Sequence, residues 1–276
     1  MNETEAFYDQ NAQYEWDRLQ RHRTEFAVTL RTFEDYLPTP PAKIADIGGG
    51  PGRYSIALAQ RGHQVTLFDL SQGCLEFAKQ KAKEIGVELS GYVHGNATNL
   101  KNLGDESFDA VLLMGPLYHL PTEKERRKAL QETIRVLKRH GIIFATFITR
   151  YAPVRWVAKN EPASHDYVEL AKQILSTGVQ RPSRIQYGTR AEHFRRTSAY
   201  FAEPAEIKPL MEGEGFKTLG VIACEGVISM IEEKVNELAA EAFDVWVELN
   251  YRLGRDSSLY GGAEHLLYVG RKPFEK

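Results

Sequence analysis

The stretch Ala45-Asp46-Ile47-Gly48-Gly49-Gly50-Pro51-Gly52-Arg53 decides how this chain is read. Ile44 to Ile47 is a short apolar run of the kind that forms a buried strand. Tyr54 to Gln60 follows as a helical stretch, closed by Arg61-Gly62. Four of the five residues between Gly48 and Gly52 are glycine. Glycine tolerates φ > 0 and lets a ligand approach the backbone, and the helix start beyond it offers unpaired N–H groups. In an open parallel sheet the crevice beyond the strand C-termini is where ligands bind. The plainer alternative is a tight turn that needs glycine for geometry alone.

The pattern repeats outward from this turn. Val65 to Phe68 reads as a second strand. Leu75, Ala78, Ala82 and Ile85 make a helix stripe ended by Gly86, and Tyr92-Val93 marks a third strand. Phe108 to Met114 is a fourth. Thr122-Glu123-Lys124-Glu125 is a capping box opening a helix that runs to Lys138, and after Gly141 a fifth strand spans Ile142 to Ile148. Strands alternating with helices imply right-handed crossovers and a doubly wound parallel sheet, an α/β fold. Upstream, residues 3 to 20 read as one helix. Phe26, Leu30, Phe33 and Leu37 stripe another, stopped by Pro38, Pro40 and Pro41.

Four regions are expected: an N-terminal helical cap over 1–40, an α/β core over 41–149, a lid or substrate insertion over 150–199, and a C-terminal completion of the sheet over 200–276. In the insertion, helix signals fall at 153–159 and 166–175. In the last region Pro204 starts a helix and Phe216 to Ala223 is a strand. Ile231, Val235, Leu238, Ala242, Val245, Leu249 and Leu253 make one long amphipathic helix over 229–254, and His265 to Val269 closes the chain as a strand.

Composition narrows the function. The 276 residues are 42% hydrophobic and 26% charged, which is ordinary for a globular chain with ample core. With Lys plus Arg at 35 and Asp plus Glu at 37, the net charge of −2 supplies no broad field for a phosphate backbone. The expectation is therefore no nucleic-acid partner. Two cysteines, Cys74 and Cys224, make neither a disulfide framework nor a zinc knuckle. The acidic N-terminus has no apolar signal core, and no 18-residue apolar run occurs anywhere. These features predict a cytoplasmic protein with no membrane contact.

The ligand follows from the glycine spacing. A dinucleotide fingerprint, G-x-G-x-x-G, needs a third glycine where Arg53 stands, and no G-x-x-x-x-G-K-[ST] loop exists. The spacing is instead G-x-G-x-G behind an acidic residue, Asp46. Asp69 ends the second strand, where a carboxylate can accept both ribose hydroxyls of an adenosine group; capping the helix that begins near Ser71 is the other reading. With Gly95-Asn96-Ala97-Thr98 after strand three, Phe108-Asp109-Ala110-Val111 opening strand four and Leu137-Lys138-Arg139-His140-Gly141-Ile142 before strand five, the chain resembles the class I S-adenosylmethionine-dependent methyltransferases over residues 40 to 150.

The resemblance implies a Rossmann-like, mostly parallel seven-stranded sheet of order 3-2-1-4-5-7-6, its last strand antiparallel, with N-terminal helices and a helical insertion after strand five. It implies S-adenosylmethionine as cofactor. Asp46, Gly48, Gly49, Gly50 and Gly52 would form the loop under the methionine part, Asp69 would bind the ribose, and Leu70 would lie on the adenine. Asn96, where the commoner residue is Asp, would accept from the adenine amino group through its carbonyl. The Ala97 N–H would face the ring, and Met114 would border the cofactor. Helices before the first strand cover the cofactor in this family, which makes Tyr8, Tyr14 and Arg18 candidates.

On the acceptor side, methyl transfer is an in-line displacement that needs alignment, exclusion of water, and a base only where the acceptor must lose a proton. The segment Met114 to Leu120 faces the transferred methyl in this family. His119 is thus the candidate base and Tyr118 an orienting group; capping a turn and packing are the alternatives. The missing Asn-Pro-Pro-Tyr type loop and the near-neutral charge favour a small-molecule acceptor with an O or N nucleophile. Arg181, Arg184, Arg190, Arg195 and Arg196, with His193, form either an anion clamp or a solvated face. Tyr151, Trp156, Tyr167 and Tyr187 are open to pocket lining or lid packing, and Trp246 and Tyr251 to the cap or a dimer contact. No histidine spacing calls for a metal. A nicotinamide-dependent oxidoreductase and a non-catalytic cofactor-binding protein are the competing readings.

Overall fold

The computed structural model describes residues 3–181 and 198–273. The element order is α1 (Glu3–Arg21), α2 (Arg23–Tyr36), β1 (Lys43–Ile47), α3 (Arg53–Gln60), β2 (Gln64–Asp69), α4 (Gln72–Ile85), β3 (Gly91–His94), β4 (Phe108–Leu113), α5 (Pro116–His119), α6 (Glu123–Val136) and β5 (Leu137–Ile148). Then come α7 (Ala152–Asn160), α8 (His165–Thr177), β6 (Val179–Gln180), β7 (Ala199–Tyr200), α9 (Pro204–Gly213), β8 (Lys217–Ala223), α10 (Glu232–Asn236), α11 (Ala240–Leu253) and β9 (His265–Arg271). Seven strands form one sheet of order β3-β2-β1-β4-β5-β9-β8. β1 to β5 pair in parallel, and β9 runs antiparallel between β5 and β8. This is the expected doubly wound sheet, with β8 and β9 as its sixth and seventh strands.

Period-2 alternation builds two cores from one sheet. Ile44, Ala110, Leu112, Ile142, Phe144, Leu267 and Val269 point to the face covered by α2, α3, α4 and α11. Ala45, Val111, Leu113, Ile143, Ala145, Leu266 and Tyr268 point to the other, under α6 and α9. Strands buried on both faces explain why they read as continuous apolar runs. Local signals set the helix ends: Ser71 Oγ accepts from the Cys74 N–H at the start of α4, and Gly86 closes it at φ +77°. The Thr122–Glu125 capping box is formed.

Three elements depart from the sequence reading. α6 stops at Val136 rather than Lys138, because Leu137 pairs with Phe108 of β4, Lys138 bonds to Asp109 at 2.7 Å, and His140 takes φ +62°. β6 and β7 pair antiparallel, a two-strand contact within the insertion beyond its expected helices. The single helix expected over 229–254 is instead a 3-10 turn at Gly226–Ile231, then α10, then α11 starting beyond an extended Ala239 (ψ 154°). The inward face of α11 is Phe243, Val247, Asn250 and Tyr251, while Val245, Leu249 and Leu253 face outward. α11 covers the end of β8, where the buried Cys224 carbonyl needs a donor, and Asn250 Nδ2 supplies it at 2.7 Å. An unpaired buried carbonyl costs about 1–3 kcal/mol, and this bond removes that cost at Cys224 while Asn250 Oδ1 stays buried with no hydrogen-bond partner.

The Arg run 184–196, with His193 and Tyr187, lies outside the described residues; Arg181 is exposed. No helix among the described residues is long and apolar enough to cross a membrane.

Phe144, fully buried in β5, meets Phe33 of α2 edge to face at 4.8 Å between ring centroids. Phe144→Ala is expected to lower the unfolding free energy by about 3–5 kcal/mol in a denaturant titration. A loss below about 1 kcal/mol would show that α2 does not dock on the sheet through this contact.

Candidate active site

The strand order reverses between β1 and β4, so the loops leaving these strands diverge and open a crevice at their C-terminal ends. A cavity of about 170 Å³ lies there, lined from the loops after β1, β2, β3 and β4 and roofed by α1. Its floor is the glycine loop. Gly48, Gly50 and Gly52 sit at φ +68°, +55° and +78°, left-handed values that favour glycine. At Gly49 space is the constraint: a Cβ would stand 2.5 Å from Asp46 Cγ and from Leu67 Cδ1. Asp46 beneath accepts from Ser55 Oγ at 2.7 Å, and burial pushes its carboxyl up to about 7. Asp46, Gly48, Gly49 and Gly50 line the cavity. Gly52 is absent from that wall: it is the N-cap of α3, where a Cβ would come within 3.0 Å of Ala78 Cβ.

Asp69 is 7% exposed and holds the loops together. Its Oδ2 accepts from the Gly50 N–H at 2.7 Å and its Oδ1 from the Ser71 N–H at 2.8 Å. The local bond toward α4 is therefore real, and it coexists with a place on the cavity wall. A carboxylate has about four acceptor sites, so both oxygens keep capacity for a ligand. Leu70, Asn96, Ala97 and Met114 continue the wall. The Asn96 carbonyl, however, already accepts from the Thr98 N–H at 2.9 Å and from Thr98 Oγ1 at 2.8 Å. An Asx turn thus occupies the oxygen that was to meet an adenine amine.

Opposite, Pro116 at the first position of α5 presses on the glycine loop: a Cβ on Gly48 would lie 2.5 Å from Pro116 Cγ. α5 carries Tyr118 and His119 into the cavity wall, their rings 4.9 Å apart. Tyr8 of α1 bonds to His119 Nε2 through its hydroxyl at 2.7 Å, while Nδ1 is buried with no hydrogen-bond partner. Burial lowers the imidazole to about 4, so it is neutral at pH 7, and burial raises the Tyr118 hydroxyl to about 12. Sequence reading placed Tyr8 only as a cover for the cofactor. Its contact spans 111 residues, and no local pattern reveals it.

Behind this wall stands a buried ion cluster that sequence reading missed. Arg18, on the cavity, donates to both oxygens of Glu25 at 2.7 and 3.1 Å. Glu25 Oε2 lies 3.9 Å from His265 Nδ1, which bonds to Glu225 Oε1. Burial lowers the His265 imidazole, but the Glu225 and Glu25 carboxylates outweigh it and raise the ring to about 9. Burial likewise raises Glu25, and Arg18 and His265 outweigh it, bringing it to about 2. Glu25, Glu225 and His265 offer ligand atoms within 4.8 Å of one another, the one such group among the described residues. The Arg18 guanidinium and the His265 proton already supply positive charge there.

Tyr14 lies outside the cavity, 45% exposed beneath Arg21. Trp156 and Tyr167 meet edge to face at 5.4 Å between ring centroids in a small cluster of α7 and α8, and the Tyr151 hydroxyl donates to Glu203. None of these three lines the cavity. α7 and α8 bury their aromatics between themselves, and the roof falls to α1.

A histidine raised from 6.5 to about 9 contributes stability that is complete below pH 6.5 and lost as pH rises through 9. His265→Gln is therefore expected to be most destabilising near pH 6, with its melting temperature approaching the wild-type value above pH 9. A gap that stays constant across this range would contradict the charged state of His265.

A family profile described as "Methyltransferase domain" matches residues 45–145, the segment that carries the cavity floor and β4. A demethylmenaquinone methyltransferase of Clavibacter sepedonicus is 36% identical over 126 residues, which are 45% of this chain and 49% of that protein. The alignment thus spans about half of that relative's length. A tRNA 5-carboxymethoxyuridine methyltransferase of Escherichia coli K12 is 24% identical over 85% of this chain and 81% of its own. A solved S-adenosylmethionine-dependent methyltransferase from Methanosarcina mazei superposes with a TM-score of 0.58 over 88% of this chain and 98% of its own, a likeness of fold at 18% identity. These relatives act on both small molecules and RNA by name, so the near-neutral charge does not by itself exclude a nucleic-acid acceptor. A ubiquinone biosynthesis O-methyltransferase of Paracidovorax citrulli is 30% identical over 57% of this chain and 69% of its own, and with the matched domain and the sheet order it shows that the chain belongs to the class I S-adenosylmethionine-dependent methyltransferases.

Proposed function

We propose that this chain transfers the methyl group of S-adenosylmethionine to an oxygen or nitrogen of a small organic acceptor. The observation that carries the reading is the Tyr8–His119 pair, set in the wall of the same cavity as Asp69 and the glycine loop. The donor set fits the cofactor. Asp69 keeps acceptor capacity for ribose hydroxyls, Leu70 and Met114 offer apolar surface, and the glycine loop brings backbone close to the methionine end. Asn96 would shape the wall at the adenine end through its turn. When bound, the cofactor supplies a methyl group on a positively charged sulfur that leaves readily.

The chain's own residues then orient the acceptor and take its proton. His119 is kept neutral by burial, and its Nε2 is reached through the Tyr8 hydroxyl. Burial also raises Tyr8, so its hydroxyl keeps a proton at neutral pH. An acceptor hydroxyl or amine beside Tyr8 passes its proton to the tyrosine oxygen as the tyrosine proton moves to His119 Nε2. Proton transfer of this kind contributes about 10²–10⁴-fold. Tyr118 packs against His119 and fixes its ring. α1, closing over the cavity, excludes water.

The second reading, a tRNA acceptor, draws on the 85% of this chain aligned with the E. coli enzyme. A net charge of −2 gives a phosphate backbone little to hold, which favours the small molecule.

The test is transfer of labelled methyl to a panel of phenols, hydroquinones, amines and unmodified tRNA. Turnover of a small molecule is expected. With that acceptor, His119→Ala should lower kcat by about 10²–10⁴-fold and Tyr8→Phe by about tenfold or more, both with cofactor affinity retained. Unchanged kcat in both variants would remove the pair from proton transfer, and turnover of tRNA alone would overturn the small-molecule reading.

A further inference from the structure

α11 presents an apolar file to solvent. Val245, Leu249 and Leu253, at four-residue spacing, are 60%, 45% and 43% exposed, and Trp246 beside them is 38% exposed. The 3-10 turn that packs beside α11 adds exposed Met230 and Ile231. Isolated apolar residues on a surface are ordinary, but a contiguous stripe along a helix marks an interaction face. The helix keeps its inward contacts through a different set of residues, Phe243, Val247 and Tyr251, so the outward leucines are not needed to hold it on the sheet.

We propose that this face pairs with the same face of a second copy, the two α11 helices antiparallel across a two-fold axis near residue 247. The sequence of the helix is complementary to itself in this arrangement. Val245 of one copy meets Leu249 of the other, twice, and Trp246 falls beside the axis. The charges bordering the file are opposite in sign at opposite ends. Glu241 lies six residues before the centre and Arg252 five after it, so each Glu241 faces the other copy's Arg252. Both are available for this. Glu241 is exposed, and Arg252, bonded to Glu248 at 2.6 Å, is still 74% exposed. A two-fold interface requires one patch to satisfy itself in this manner. A parallel pairing would instead set Glu241 against Glu241. Standard interfaces bury about 800 Å² per partner, more than one short helix offers, and exposed Met230 and Ile231 on the adjoining 3-10 turn add apolar surface beside it.

Sedimentation velocity on the full chain is the test. The wild type is expected at twice the 31.3 kDa monomer mass. Leu249→Glu should sediment as a folded monomer with unchanged helix content by circular dichroism, since its exposed side chain gives up no core contact. Glu241→Lys and Arg252→Glu should each weaken dimerisation by about fivefold or more, and the double variant should regain most of the loss, because the swapped charges again face each other. A wild type that stays monomeric at its highest soluble concentration would overturn the proposal. So would a Leu249→Glu dimer, which would place the interface elsewhere, or a double variant no tighter than either single one.

Discussion

The site depends on the Asp69 carboxylate. With one oxygen on the Gly50 N–H and the other on the Ser71 N–H, it fastens the loop after β1 to the turn after β2. The fastening extends further. Ser71 Oγ and the Gly73 N–H both donate to Asp9 of α1, at 2.6 and 3.0 Å, and Tyr8, next in the chain, reaches His119 on the loop after β4. One path of hydrogen bonds and adjacent residues thus joins the glycine floor, the carboxylate proposed to hold the ribose, the helical roof and the proposed proton acceptor. A buried carboxylate would be expensive alone, and the N–H groups it accepts from offset that cost. The chemistry proposed for the cavity follows from which groups this path brings to one wall.

Much of this frame was legible in the sequence, for physical reasons. Strands buried on both faces must be continuously apolar, so β1, β2, β4 and β5 announce themselves. Glycines at left-handed positions cannot be replaced cheaply, so the loop after β1 does too. Asp69 is legible because it ends a strand beside that loop. What stayed hidden depends on long-range contact. Tyr8 on His119 and the Glu25–His265–Glu225 cluster join residues 40 to 240 positions apart, and no periodicity encodes them. The Asn96 turn was within reach: Asn two residues before Thr is a local pattern that competes for its own side chain. The inward face of α11 was not legible, because the contact of Asn250 with the buried Cys224 carbonyl joins residues 26 positions apart.

The ion cluster behind Arg18 links the roof to the far strand. Arg18 belongs to α1, Glu25 to α2 and His265 to β9, so charge pairing ties the two N-terminal helices to the antiparallel end of the sheet. Buried pairs of this kind contribute less net stability than their Coulomb attraction suggests, yet losing one partner is costly. The cluster therefore specifies where α1 sits, and through α1 where Tyr8 sits.

The measurement that tests the central claim most directly is calorimetric titration of the purified protein with S-adenosylmethionine, S-adenosylhomocysteine, NADH and NADPH, repeated on Asp69→Ala. The account predicts binding of the two sulfur compounds alone, weakened by at least about tenfold in the variant. Binding of a nicotinamide nucleotide with no response to the sulfur compounds would contradict it, and so would a variant that binds S-adenosylmethionine as tightly as the wild type.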